Sequence, residues 1–350
     1  MEVKKDYAFY GGFTIVTSIP ETPVAVKVKE GATLYIHGIS DTAKILSSDG
    51  KSILSVKLEK SLSKEGKEAD VYEINAKCVI QGQEVPLLAK VYKKTSERVK
   101  AKTQLLCKSG IYYNGIAFPV AWLSDSSKDE DETKCFGILM PKIQNSEDLT
   151  SYINNIKIPA EERLKIVRQL LNHFMFLHKN NIQLVDFNLK NFLINKETKE
   201  VSLIDTDSFQ IENFPCNVAS PDLIFDHPKR IKEGFYNYSM ELREPFDMVY
   251  GLCVLLFKIM MIDDPYKTNR TFPRNSNDTD PENILRGKFS FINDEGPRKY
   301  STSLWKNCPE KLKKFFKSVF DTTGRYFYDN GFNLTFEILW NELCDAATMK

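Results

Sequence analysis

Val185-Asp186-Phe187-Asn188-Leu189-Lys190-Asn191 and, further along, Leu203-Ile204-Asp205-Thr206-Asp207 are the stretches on which the fold of this chain turns. An Asp precedes an Asn by five residues, and a second Asp follows an apolar run fourteen residues after that Asn. The spacing predicts one β-hairpin with all three groups at its mouth. Phosphoryl transfer from a nucleotide needs such a set. One carboxylate orients the acceptor hydroxyl, and an amide and a second carboxylate hold Mg²⁺ against the phosphates. The plainer reading of Asp186 and Asn188 is that they cap a turn by accepting backbone N–H groups.

Outward from this hairpin the chain changes character on either side. Upstream, Pro159-Ala160-Glu161-Glu162-Arg163 opens a helix with Pro in its first turn and acids near its N-terminus. Leu164, Val167, Leu170, Leu171, Phe174 and Leu177 supply its apolar face. Further upstream lie β-prone runs at 52–58, 71–74, 87–92, 117–122 and 136–140, with a helical stretch from Ser96 to Lys108. The charged run Ser126 to Glu132 between the last two strands reads as a solvated loop. Downstream the pattern is helical, with Phe246 to Ile262 as the strongest apolar run. Asp247 and Lys258 interrupt that run and it is short for a membrane span, so a buried core helix is expected. Residues 1–50 carry short β-prone runs punctuated by Gly and Pro, and read as a β-rich extension or small module. The expected layout is therefore α+β in three parts: residues 1–50, a β-rich small lobe at 51–143, and an α-rich large lobe at 144–350.

Bulk composition excludes several classes. Charge is balanced, with 48 Lys and Arg against 47 Asp and Glu, so no general affinity for nucleic acid or an anionic membrane is expected. Seven scattered cysteines without CxxC spacing, and only four histidines, argue against a disulfide framework or a zinc site. The N-terminus lacks the apolar core of a signal peptide. A reducing, cytoplasmic setting is the expectation.

Val185 to Ile194 together with Leu203-Ile204-Asp205-Thr206-Asp207-Ser208-Phe209-Gln210 resemble the two-lobed eukaryotic-type protein kinase fold. More narrowly they resemble a bacterial branch of stress- and toxic-metal-resistance-associated kinases, with Asp-x-Asn-x-x-Asn and Asp-x-Asp-Ser-Phe-Gln motifs. The resemblance covers roughly residues 52–345. It implies ATP and Mg²⁺ (or Mn²⁺) as cofactors and a protein Ser/Thr hydroxyl as acceptor. It assigns Asp186 to the acceptor hydroxyl, Asn191 and Asp205 to the metal, and Lys90 to the α- and β-phosphates. Gly66 would lie in the phosphate-covering loop. Val71, Ala89 and Leu193 would sandwich the adenine, with Met140, Lys142 and Ile143 at the hinge. Asp222 would close the activation segment, and Asp247 would tie a buried helix to the catalytic-loop backbone.

The same alignment exposes departures. Only the middle glycine of the phosphate loop is present, as Gly66 between Lys64 and Ala69. Val185 stands where an Arg grips the phosphate in kinases switched by loop phosphorylation, and Ser208 is the only hydroxyl between Asp207 and Ala219. Control by loop phosphorylation is therefore not expected. The helix after Lys90 should supply it with a Glu, yet Lys102 falls there and Glu97 is the nearest acid. Asp207 replaces a Gly, and is expected to offset the missing Glu by pairing with Lys102 or Lys90. Asn188 replaces the Lys that contacts the transferred phosphate, which keeps the acceptor class open. Two other readings remain beside the protein kinase: a nucleotide-binding pseudokinase scaffold and a small-molecule phosphotransferase.

Overall fold

The computed structural model describes residues 22–62, 68–216, 223–228, 231, 242–243, 245–266, 284–291, 297–321 and 341. The chain divides into two compact units. One comprises Met1–Gln144, Ser202–Asp207 and Ile211–Phe214; the other comprises Asn145–Val201, Ser208–Gln210 and Pro215–Lys350.

The first unit is built on strands β1 (Val24–Ala25), β2 (Thr33–His37), β3 (Ala43–Ser47), β4 (Ser55–Ser61), β5 (Ala69–Ile80), β6 (Gln83–Tyr92), β7 (Lys94–Thr95), β8 (Ala121–Ser124) and β9 (Gly137–Pro141). Seven of them form one antiparallel sheet of order β3-β5-β4-β2-β8-β9-β6. β5 also pairs β6, so the sheet closes on itself. The β5–β6 hairpin turns at Gln81 and Gly82, both at positive φ (50° and 80°). That is the two-residue turn whose twist matches its flanking strands. Alternation explains β5: Tyr72, Ile74, Ala76, Cys78 and Ile80 are buried while the residues between them face outward.

The boundary expected at residue 50 does not divide this sheet. β2 pairs β4 on one side and β8 on the other, and β3 pairs β5. Gly31 marks the turn before β2, a strand of the same sheet as β4 and β8, and only hydrogen bonding across the chain reveals it.

Helix α1 (Glu97–Lys108) follows β7. Its N-cap Ser96 accepts the Val99 N–H at 3.2 Å, with Glu97 in the first turn and Lys108 in the last. One core cluster fills the inside of the sheet with Leu34, Ile36, Val56, Leu58, Leu87, Ala89 and Leu139. A second, holding Ala69, Tyr92, Trp122, Ile138 and Met140, includes Cys107 of α1.

In the second unit, β10 (Ser146–Asp148) leads into α2 (Leu149–Ile153), where Asp148 caps by accepting the Ser151 N–H. Helix α3 (Ala160–Lys179) starts after Pro159 and buries Val167, Leu170, Leu171, Phe174 and Leu177 as the periodicity predicts. Arg163 is buried too, donating to the carbonyls of Ile259 (2.7 Å) and Asn155 (2.8 Å). β11 (Ile182–Gln183) precedes the Asp186 loop, and β12 (Phe192–Asn195) follows it and pairs β10 antiparallel. β13 (Val201–Leu203) returns the chain to the first unit. Helix α4 (Pro245–Met261) is buried from Asp247 to Met261 except at half-buried Lys258, and α5 (Lys299–Lys306) and α6 (Glu310–Phe320) pack on it through aromatics. Phe257 meets Phe289, Phe291, Trp305, Phe316 and Phe320 with ring centroids 5.0–6.5 Å away. Among the described residues no helix is long and apolar enough to cross a membrane.

Candidate active site

On the first unit the candidate residues sit on one face of the sheet. Opposite residues of an antiparallel pair share a face, and neighbours along a strand do not. Val71 lies opposite Lys90, and Leu88 opposite Met140, so Val71, Leu88, Lys90 and Met140 point the same way. Ala89 is a correction. It is fully buried among Leu87, Val91 and Leu139 on the other face. The residue of β6 that accompanies Lys90 on its own face is Leu88. A one-residue step along a strand reverses the side chain, and two-residue counting from Lys90 finds Leu88 without a structure. Of the three hinge residues, Lys142 has both its backbone and its side chain engaged. The Lys142 N–H, expected near the base, is committed to the Pro86 carbonyl at 2.8 Å. The Lys142 ammonium pairs with Glu73 at 2.8 Å. Met140 is buried and Ile143 half-buried. Gly66 lies outside the described residues.

The turn after β13 belongs to the same unit. Leu203 donates its N–H to the Gly115 carbonyl (2.8 Å) and accepts from the Ala117 N–H (2.9 Å). Ala117, expected as the start of a strand in the sheet, is used here instead. Asp205 takes a positive φ of 63°. Asp tolerates that region better than most residues, and such strain recurs at functional sites. The Thr206 hydroxyl, buried, donates to the Ala117 carbonyl at 2.9 Å and holds the turn in place.

This turn presents two carboxylates to one ammonium. Lys90 Nζ is hydrogen-bonded to Asp205 Oδ1 and lies 2.7 and 2.9 Å from the two carboxylate oxygens of Asp207. The Lys90 side chain is only 12% exposed and that of Asp207 10%. Burial opposes ionisation of both, but the opposite charges prevail. Lys90 is raised above its ordinary value by Asp207 and Asp205 against the pull of burial. Asp207 is held below the usual carboxylate range, because the charge and hydrogen bond of Lys90 and a hydrogen bond from the Tyr92 hydroxyl outweigh burial. Lys102 is 3% exposed on α1 and adds its positive charge at Asp207. Glu97 is exposed on the first turn of α1 and is not a partner of Lys90.

The second unit carries the other candidates. Asp186 is buried, and its Oδ1 accepts the Asn188 N–H at 3.2 Å. Asn188 Oδ1 accepts the Lys190 N–H (3.1 Å), and the Asn191 N–H donates to the Asn188 carbonyl (2.8 Å). Both side chains therefore cap the loop. Capping uses one acceptor site of Asp186, and a carboxylate has about four. The loop is pinned by Phe187, a residue with no chemical role that the motif itself does not flag. Its ring stacks on Phe174 (5.9 Å) and Phe225 (5.1 Å). It occupies the space where a Cβ on Gly251 of α4 would sit. Asp247 is buried in the first turn of α4 and lines one small cavity with Leu184, Val185 and Phe187. Leu193 is half-buried on β12.

Downstream, Gln210 clamps the backbone of Arg243 from both sides, accepting its N–H (2.7 Å) and donating to its carbonyl (2.9 Å). Gln183 donates to the same carbonyl, and the Arg243 guanidinium pairs with Asp226 at 2.7 Å, nearly buried. Asp222 lies outside the described residues.

The family model described as "Lipopolysaccharide kinase (Kdo/WaaP) family" matches residues 88–223, under half of the chain but inclusive of Lys90, Asp186, Asn191 and Asp205. No curated protein matches the chain. Among solved structures, the Cydia pomonella granulovirus kinase PK-1 matches at 15% identity with a TM-score of 0.51, over 83% of this chain and 93% of that one. Rad53 1-466 in complex with AMP-PNP matches at 14% identity with a TM-score of 0.53, over 82% of this chain but 64% of that one. The chain therefore has a kinase-like α+β fold, β-rich toward its N-terminus and helical toward its C-terminus.

Proposed function

We propose that this protein transfers a phosphoryl group from ATP to an acceptor hydroxyl in a divalent-metal-dependent reaction. The observation that carries the reading is the meeting of a β-strand lysine, Lys90, with Asp205 on a strained turn within one unit. A buried lysine bonded to a carboxylate at positive φ has a poor structural rationale and a good chemical one: the pair prepares one site for phosphates and another for their cation. Asp205 offers a carboxylate and Asn191 an amide oxygen, each a ligand type that suits Mg²⁺. The metal would neutralise charge on the phosphates. Lys90 would hold the non-transferred phosphates, and Asp186 would orient the acceptor hydroxyl and take its proton. Gln210 and Gln183 would keep the segment beyond the metal turn in place without a phosphorylated residue.

Two acceptor classes have support. The resemblance to toxic-metal-resistance-associated kinases favours a protein Ser or Thr. The lipopolysaccharide-kinase model over residues 88–223 favours a sugar hydroxyl, and Asn188 in place of the phosphate-contacting Lys agrees with it. The test offers γ-labelled ATP with Mg²⁺ or Mn²⁺ to protein acceptors and to lipopolysaccharide in parallel, with Asp186→Asn as control. Transfer by the wild type that falls at least ~100-fold in the variant supports the reading. Label transferred to neither class, with nucleotide bound, supports a pseudokinase instead.

A further inference from the structure

Lys90 receives its carboxylate from an unusual direction. Helix α1 places a buried cation, Lys102, where a helix carboxylate is expected, and Glu97 points to solvent. Asp207 meets Lys90 Nζ with both of its oxygens and also accepts the Tyr92 hydroxyl. Lys90 and Tyr92 are two apart on β6 and so share a face. The side-chain ends of Lys90 and Tyr92 thus meet on one carboxylate, two residues beyond Asp205, and the buried Lys102 adds its positive charge there.

We propose that Asp207 is the positioning residue for Lys90, supplying from the turn the carboxylate that helix α1 lacks, with a buried cation, Lys102, at the helix position. It rests on the reading of Lys90 and Asp205 as a nucleotide site. Asp205 also bonds Lys90, but a carboxylate that ligates a cation has less charge to share with an ammonium. Asp207 remains with Lys90 when that happens. Because Asp207 and Asp205 lie on one turn, the phosphate-binding ammonium and the metal carboxylate are set by a single piece of backbone. The Asp207–Lys90 ion pair itself involves no residue of α1, so displacing that helix would leave the pair in place.

Two readouts on the full-length protein test this. In the first, without nucleotide, acetylation of Lys90 is followed by peptide mass spectrometry. Asp207→Asn should raise its rate ~5-fold or more, since a buried ammonium left with Asp205 as its one carboxylate deprotonates more readily than one held by two. An unchanged rate, with thermal stability retained, overturns the pairing whether or not the protein binds ATP. The second is ATP affinity with Mg²⁺ by calorimetry. Asp207→Gly should weaken binding ~10-fold, and Lys102→Glu added to it should recover most of the loss by returning a carboxylate to the helix. A double variant that is folded and no tighter than Asp207→Gly overturns the role given to the helix position. If wild type and Lys90→Met bind ATP equally, the nucleotide reading fails while the acetylation result still decides the pairing.

Discussion

Asp207 shows how much one side chain can carry that its motif does not explain. It is nearly buried and ionised, which an Asp sustains only with charge and hydrogen bonds to match. Its carboxyl is held below the ordinary value of 3.8, so it contributes stability that is present above that pH and lost as pH falls through its lowered value. The stability gap between wild type and Asp207→Asn should therefore be large at neutral pH and close below about pH 4, as read by urea denaturation across pH. A gap that does not narrow in acid would show that Asp207 acts by packing. At this scale the sequence was informative about residue types and poor about directions. Asp186, Asn191, Lys90 and Asp205 stand out because their chemistry is rare at that spacing. Ala89 was misplaced because its identity was weighed without its parity along the strand. Nothing local distinguishes Lys90 from Lys102 as a partner for Asp207; only the fold brings Tyr92 and Lys90 to it.

Among the elements, two glycines transmit packing to the site. A Cβ on Gly137 of β9 would overlap the Lys90 carbonyl and lie 2.9 Å from Val91 Cα, so it would push β6 away at the lysine itself. A Cβ on Gly251 of α4 would overlap the Phe187 ring and push the loop beside Asp186. Each Ala substitution should cost about 1–3 kcal/mol in thermal or urea unfolding, the usual range for overpacking. Their kinetic signatures should differ. Gly137→Ala should raise KM for ATP, whereas Gly251→Ala should chiefly lower kcat. Equal effects of both on KM would contradict the division of labour between sheet and loop. Helix α1 is legible in the sequence from Val99, Leu105 and Leu106 on one side, and α3 because Pro159 and the acids after it announce its start. The stacking of Phe187 between Phe174 and Phe225 was not, because it joins residues far apart in sequence.

At the level of the whole molecule, β2 and β3 of the N-terminal region are part of the kinase-like sheet. β2 fills the gap between β4 and β8 and leaves neither with an open edge there. An exposed strand edge invites pairing with other chains. A protein beginning at Ser52 should therefore lose cooperative unfolding and aggregate, seen by size-exclusion chromatography and thermal melting. A monomeric, cooperatively folding product would mean that residues 1–50 are a dispensable module after all. The α+β class and its order of β-rich then helical parts were readable from hydrophobic periodicity alone. Closure of the sheet was not, since strand partners are chosen by hydrogen bonds between distant segments.

The central claim is that the Asp186–Asn191 loop and the Asp205 turn serve a nucleotide with its cation, and calorimetry of ATP with and without Mg²⁺ tests it most directly. The wild type should bind ATP, and Mg²⁺ should tighten that binding by ~10-fold or more, about 1.4 kcal/mol per decade. Asp205→Ala should keep the metal-free affinity and lose the gain. A wild type indifferent to Mg²⁺, or an Asp205→Ala protein that keeps the full gain, would contradict the account.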